Sequence, residues 1–127
     1  MKPGKKGLAR IIAATRYSWQ GLVAAWNNEA AFRQEVVLII LLMPLAFIIG
    51  KSASQIAIMV LSLGLVLIAE LANSAIEAVV DRFGGEHHEL SGRAKDIGSA
   101  MVLISLLFSC ITWLTIVYYN YFKAAFA

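Results

Sequence analysis

The chain has 127 residues, of which 60% are hydrophobic and 15% charged, and its mean hydropathy is +0.74. Soluble domains are roughly 45–50% apolar and about 25% charged, so this chain has too few charges to cover a water-exposed surface. Its net charge is +3 and its one cysteine is Cys110. This composition excludes a soluble enzyme domain, a disordered chain, a disulfide scaffold and a nucleic-acid-binding surface, and it predicts a membrane protein.

The first predicted element is an amphipathic helix over about residues 7–28. Its apolar residues recur at spacings of three and four, which places them on one helical face. The members of this stripe are Leu8, Ile11, Ile12, Thr15, Trp19, Leu22, Val23 and Trp26. With Arg10 and Arg16 off the stripe, the pattern is typical of a helix lying in a membrane interface. Packing of the stripe on the protein's own helices is an equally good interpretation, and both can hold together.

Three apolar segments follow, and their lengths predict transmembrane helices over about 30–50, 53–81 and 96–121. Uncharged runs of 15, 18 and 26 residues separate Glu35 from Lys51, Lys51 from Glu70, and Asp96 from Lys123. A spanning helix needs about 20 mostly apolar residues, so the first span is long enough only if Arg33 and Glu35 reach toward the headgroups. The runs are continuous rather than alternating, which favours helices over a barrel.

The basic residues predict the orientation of these spans, because cytoplasmic segments carry the excess of lysine and arginine. Before and at the start of the first span lie Lys2, Lys5, Lys6, Arg10, Arg16 and Arg33, and the second loop, 82–95, carries Arg82, Arg93 and Lys95. The first loop offers only Lys51 and the tail only Lys123. We therefore expect the N-terminus and the second loop in the cytoplasm and the C-terminus outside.

The second span carries an unusual polar face. Glu70, Asn73, Glu77 and Asp81 are separated by three, four and four residues, so their side chains share one side of a helix. Counted from Ser52, Glu70 lies about 27 Å along a hydrocarbon core of about 30 Å. Ionisable residues in membrane helices are functional candidates, and this position at the membrane edge favours chemistry between a lipid headgroup and a water-soluble molecule.

Glu29 is a third carboxylate at comparable depth, where the first helix meets the first span. Several carboxylates facing a polyanion suggest a bridging Mg²⁺, which binds a few carboxylates together with substrate phosphates. The alternative is that Glu29, Glu77 and Asp81 only tie helix ends together through nearby basic residues. Those residues are Arg33, Arg82 and Lys95.

Three stretches of the chain together resemble a known family. They are Glu70-x-x-Asn73-Ser-Ala-Ile-Glu77-Ala-Val-Val-Asp81-Arg82, then Glu89-Leu-Ser-Gly-Arg-Ala-Lys95-Asp96, and the upstream segment from Tyr17 through Trp19, Trp26, Glu29 and Arg33 to Glu35. The chain resembles the bacterial integral-membrane diacylglycerol kinases from about Arg10 to Trp113. The resemblance implies a homotrimer of three-span subunits in the inner membrane, each with a surface helix, and active sites shared between neighbours.

The resemblance also implies an activity, the transfer of the ATP γ-phosphoryl group to the hydroxyl of diacylglycerol with Mg²⁺ as the metal. Glu70 is then the general base, Asn73 orders the site, and Glu29 and Glu77 hold the metal. The implied nucleotide-binding residues are Arg10, Tyr17, Glu29, Glu77, Glu86, His88, Lys95 and Asp96. The implied lipid-binding residues are Ala14, Trp19, Glu70, Ser99 and Trp113.

Other functions remain open from the sequence. An undecaprenol kinase of the same superfamily would share the acidic face and differ in its lipid groove. A small helical transporter would use Glu70 as a coupling carboxylate and would not need Lys95. A membrane scaffold without activity would tolerate the change Glu70→Gln.

Overall fold

The computed structural model describes residues 4, 6–84 and 88–126, and over these residues the chain is helical, without strands. The elements are α1 (Gly7–Asn28), α2 (Ala30–Ile49), α3 (Ala53–Asp81), α4 (Glu89–Val117), a π-helical turn (Tyr118–Phe122) and α5 (Lys123–Phe126). The α2 helix, the α3 helix and the continuous segment Glu89–Phe126 are each long and apolar enough to cross a membrane. The predicted all-α fold with three membrane helices is confirmed.

The α4 helix begins earlier than the sequence pattern indicated. It starts at Glu89, seven residues before the predicted span start at 96, so the end of the predicted loop 82–95 is helical. Nδ1 of His88 caps the helix by accepting a hydrogen bond from the backbone N–H of Leu90 at 3.1 Å. The charges in this segment do not end the helix. Glu86 lies outside the described residues.

The corner between α1 and α2 is fixed by a single extended residue, Glu29, with φ −120° and ψ 105°. Its backbone N–H donates to Ala25 O at 2.9 Å, and its own carbonyl accepts from Arg33 N at 3.2 Å. The Arg33 guanidinium crosses the corner, because its Nη1 donates to Trp26 O at 2.6 Å. The backbone of Glu29 is thereby fixed at the junction of the two helices.

The apolar stripe of α1 does not pack inside the chain. Leu8 is 72% exposed and Trp19 is 67% exposed, whereas the buried residues of α1 are the small Ala13 and Ala25. A stripe of this size cannot face water without a large free-energy cost. Its exposure therefore favours contact with lipid or with another chain over packing within the chain.

The centre of the fold is the contact of α3 with α2 and α4. Ala46, Met59 and Ile116 form a buried cluster, against which Ile49, Val60 and Trp113 pack. The α2 helix continues through Pro44 without a break, as membrane helices tolerate.

A polar network joins α3 to α4 beside this cluster. The Ser62 hydroxyl donates to Met59 O in its own helix at 2.7 Å, so its oxygen is left to accept. It accepts from Ser109 Oγ at 3.1 Å and from the indole Nε1 of Trp113 at 3.1 Å. Such interhelical hydrogen bonds hold membrane helices together where no hydrophobic force acts between them.

The turn between α2 and α3 is held by the π-helical segment. Nδ2 of Asn120 donates to Gln55 Oε1 at 2.8 Å and to Ile49 O at 3.2 Å, while Tyr121 Oη donates to the same carbonyl at 2.7 Å. The Lys51 ammonium donates to Asn120 O at 2.8 Å. The polar groups of this turn are thus bonded across the bundle.

The Ser62 network gives a stability prediction. Ser62→Ala removes the acceptor for both Ser109 and Trp113, so it should lower the free energy of unfolding by about 0.6–1.7 kcal/mol, the average and the maximum found for one interhelical hydrogen bond in a membrane. The matched control is Ser105→Ala, because the Ser105 hydroxyl donates within α4, to Val102 O at 2.8 Å. Unfolding in detergent measures both variants, and an equal loss in the two would contradict the role assigned to Ser62.

Candidate active site

The polar face predicted for the second span is present on α3. The helix is unbroken from Ala53 to Asp81, so the four polar side chains keep the helical register that their spacing requires. Glu70 is buried, with 6% exposure, Asn73 and Glu77 are half-buried, and Asp81 is exposed. Over about 16 Å of helix, the face therefore runs from the interior of the chain to its surface.

Asn73 and Glu77 are joined on this face. Nδ2 of Asn73 donates to Glu77 Oε1 at 3.2 Å, so the amide fixes one oxygen of the carboxylate and leaves the other open. The opposite atom of the amide, Asn73 Oδ1, is buried and has no hydrogen-bond partner. A buried polar atom of this kind is uncommon and calls for an explanation.

Other carboxylates surround Glu70. The carboxylates of Glu35, Glu77 and Glu29 all lie near enough to repel a charge on Glu70. Glu35, which the sequence pattern placed near the headgroups, is half-buried and lies near Glu70. Its nearness to Glu70 depends on helix pairing, which cannot be seen in one sequence.

The exposed end of the face meets α4 through an ion pair. Lys95 Nζ lies 2.6 Å from Asp81 Oδ1, with the two side chains 44% and 64% exposed. Glu77 also attracts Lys95. Exposed pairs of this kind stabilise a fold little, so Lys95 can exchange Asp81 for another anion at a small free-energy cost. Asp96, the next predicted nucleotide-binding residue, is exposed on the same helix, and the His88 ring is used as the α4 cap.

An open groove of about 610 Å³ separates α1 from α3. Its wall consists of Ser18, Gly21, Leu22, Ala24, Ala25, Asn28, Glu29, Leu71, Ser74, Ala75 and Ala78. Ser74, which sequence reasoning did not single out, is buried and its Oγ has no partner. Glu29 borders this groove whereas Glu70, Asn73 and Glu77 do not, so α3 uses a different side for its acidic face.

The predicted α1 residues lie along the same helix. Arg10 is exposed and Tyr17 half-buried, with the Arg16 guanidinium 5.5 Å from the Tyr17 ring centre. Among the predicted lipid-binding residues, Ala14 is half-buried and Trp19 exposed.

The remaining two predicted lipid-binding residues lie on α4. Ser99 is exposed. Trp113 turns its indole N–H into the bundle, where it bonds Ser62, so only the rest of its half-buried ring is available to a lipid.

The donor atoms fit Mg²⁺ in one specific manner. Among the described residues no three His, Cys, Asp or Glu side chains are grouped to enclose a metal. Mg²⁺ does not require such a group, because it commonly binds one or two carboxylates, waters and substrate phosphates. Glu77 matches that use, since Asn73 orients one carboxylate oxygen and leaves the other open.

Fold and site together define a helical membrane protein with a polar face that runs from a buried carboxylate to a charged surface. Residues 16–117 match the family model described as prokaryotic diacylglycerol kinase. The chain is 56% identical to the diacylglycerol kinase of Escherichia coli strain K12 over 107 residues. This aligned region covers 84% of this chain and 88% of that protein.

Two further relatives agree. The diacylglycerol kinase of Haemophilus influenzae strain Rd is 52% identical, over 84% of this chain and 91% of its own length. The diacylglycerol kinase of Pseudomonas aeruginosa strain PAO1 is 50% identical, over 89% of this chain and 92% of its own length. The chain belongs to the prokaryotic diacylglycerol kinase family, and the predicted family resemblance is confirmed.

Proposed function

We propose that this protein is an ATP-dependent kinase that phosphorylates diacylglycerol to phosphatidic acid at the acidic face of α3. Family membership gives the reaction class, and the observation that carries the site is the burial of Glu70 at the inner end of a face that opens at Asp81. A lipid hydroxyl near the membrane edge and a nucleotide in water can meet along such a face. A transporter would more naturally place its carboxylate near the middle of the membrane.

Glu70 acts as the general base in this proposal. It is buried one turn from the apolar Val66 on α3, and in this proposal the lipid hydroxyl reaches it by entering the acidic face. Glu70 accepts the hydroxyl proton while the hydroxyl oxygen attacks the γ-phosphorus of ATP and ADP leaves. Phosphoryl transfer needs mainly positioning and charge stabilisation from the protein. One well-placed base is therefore sufficient for the proton transfer.

Charged groups at the open end hold the nucleotide. Glu77 and Glu29 bind Mg²⁺, which neutralises phosphate charge when it is bound with ATP. Lys95, with its half-exposed ammonium, contacts the phosphates by exchanging Asp81 for a phosphate oxygen. The remaining nucleotide contacts are proposed for Arg10, Tyr17, Glu86, His88 and Asp96.

The proposed nucleotide site implies a topology for the chain. ATP is cytoplasmic, so the Asp81 end of α3 and the segment 82–95 face the cytoplasm, as the basic residues also predict. We place the protein in the bacterial inner membrane, with its C-terminus on the periplasmic side. The lipid contacts are Ala14, Trp19, Ser99 and the exposed part of Trp113.

Replacement of Glu70 tests the proposed base. Glu70→Gln keeps the size of the side chain but cannot accept the proton, so phosphate transfer should fall by about 10²-fold or more. The measurement is transfer of labelled γ-phosphate from Mg·ATP by the purified protein, with diacylglycerol and undecaprenol offered in parallel. The control is Glu89→Gln, because Glu89 is exposed and lies 3.7 Å from Arg93 on the protein surface.

Each result of this assay has a defined meaning. Label in phosphatidic acid that is lost in Glu70→Gln but kept in Glu89→Gln supports the proposal. Label in the polyprenol alone keeps the mechanism and changes the substrate to that of the alternative, an undecaprenol kinase. Label in neither lipid contradicts the kinase and returns the transporter to consideration.

The metal gives a second prediction. Chelation of Mg²⁺ should abolish phosphate transfer, and added Mg²⁺ should restore it. Glu77→Gln should raise the Mg²⁺ concentration needed for half-maximal activity by about 10-fold or more, since one carboxylate ligand is lost. Activity that is unchanged by chelation would contradict the assignment of Glu77.

We also propose a homotrimer, following the family resemblance. The single chain leaves the α1 stripe exposed and the α1–α3 groove open beside the unpartnered hydroxyl of Ser74. Small residues of α3 such as Ala75 and Ala78 permit close helix contact there. A neighbouring subunit can cover these surfaces and bring further residues to the site.

Mixed oligomers test this assembly. Subunits carrying Glu29→Gln and subunits carrying Glu70→Gln should each be inactive as pure assemblies. If sites are shared between neighbours, joint refolding should restore part of the activity, and the mass in detergent should equal three chains. A monomeric mass, or no recovery in verified mixed trimers, contradicts a shared site.

A further inference from the structure

Gly98 lies on α4 directly opposite Asn73 and is buried. A methyl group built on Gly98 would overlap Asn73 Oδ1 and would lie 3.3 Å from Asn73 Cγ and 3.6 Å from Ile76 Cδ1. The Gly98 backbone is helical, without a positive φ. Glycine is therefore required here by the close approach of a side chain and not by backbone conformation.

This approach accounts for the unpartnered oxygen of Asn73. Oδ1 lies in the place that the Cβ of any other residue at position 98 would occupy. The oxygen is thus enclosed by α4 although it accepts no conventional hydrogen bond.

The two ends of the Asn73 amide have separate neighbours. Oδ1 rests against Gly98 on α4, and Nδ2 donates to Glu77 Oε1 at 3.2 Å on α3. The space at Gly98 therefore admits the Asn73 amide in the position from which it bonds Glu77.

We propose that Gly98 is a positioning residue, which leaves the space that holds Asn73 in hydrogen-bonding distance of Glu77. The inference rests on the proposed function, in which Glu77 binds Mg²⁺ with ATP. Gly98 touches neither substrate and acts through the Asn73 amide.

The effect of Gly98→Ala follows from which atoms can move. The overlapping atom is the end of the Asn73 side chain, which can rotate, whereas the backbones of α3 and α4 are fixed by their packing. Asn73 therefore turns away and its bond to Glu77 is lost. Loss of a group that orients a metal ligand typically lowers metal affinity or activity by about 10–100-fold, and we expect a rise of that size in the Mg²⁺ needed for half-maximal activity.

A matched control exists at the other end of the bundle. A methyl group on Gly50 would lie 2.5 Å from Ile56 Cγ1 and 3.1 Å from Met59 Cε. Gly50→Ala thus disturbs packing without touching the acidic face. It should lower thermal stability, yet the folded fraction should keep the Mg²⁺ dependence of the unchanged protein within about twofold.

A double-variant cycle shows whether Gly98 acts through Asn73. In Asn73→Ala the overlapping atoms are gone, so adding Gly98→Ala introduces no overlap with Asn73 and should not change kcat or the Mg²⁺ dependence further. The double variant also remains informative if Gly98→Ala alone fails to fold. Coupled residues give such non-additive effects, and independent ones give additive effects.

The outcomes separate this proposal from the proposed function. The role of Gly98 is supported if the unchanged protein transfers phosphate and Gly98→Ala requires more Mg²⁺ for half-maximal activity. The same support requires that adding Gly98→Ala to Asn73→Ala causes no further rise in that Mg²⁺ requirement. An active Gly98→Ala protein with unchanged Mg²⁺ dependence, or additive losses, overturns it. If the unchanged protein transfers no phosphate, the proposed function fails, and the role of Gly98 in positioning a metal ligand fails with it.

Discussion

The structure depends on the need to shield a row of carboxylates inside an apolar helix bundle. A charge that faces the hydrocarbon is costly, so the inner end of the acidic face, where Glu70 is buried, is turned away from lipid. The α4 helix covers part of this face, because Gly98 allows Asn73 to approach and Lys95 pairs with Asp81 at the surface. The face is consequently closed at Glu70 and open at Asp81.

The polar groups at the two ends of the bundle differ in how completely they are hydrogen-bonded. At the α2–α3 turn, Asn120 and Gln55 bond to each other and to nearby groups across the bundle. Around the acidic face, by contrast, Asn73 Oδ1 and Ser74 Oγ are buried without a hydrogen-bond partner. Unpaired buried groups cost about 1–3 kcal/mol each, so the polar groups at this end of the bundle are the less completely bonded.

The exposed surfaces of the single chain also favour an assembly of several chains. The α1 stripe and the α1–α3 groove stay uncovered, and Glu29 stands at the corner between the stripe and the spans. A membrane kinase needs an opening from the lipid as well as one from water. In the proposed trimer, the uncovered surfaces of one subunit provide contacts for its neighbours and a path for the lipid.

The sequence alone determined the helical class, the three spans and the shared face of Glu70, Asn73, Glu77 and Asp81, because apolar run length and the 3.6-residue period are local properties. The family resemblance supplied the reaction and the site residues beyond that face. Only the tertiary structure decided that Glu35 lies near Glu70, that Trp113 bonds Ser62, and that α4 begins at Glu89. It also revealed the contact between Gly98 and Asn73. The neighbours of Glu35, Trp113 and Gly98 are set by how separate helices pack, so spacing within a single segment could not predict them. The start of α4 is set by a local helix cap, which the charge pattern of the segment did not indicate.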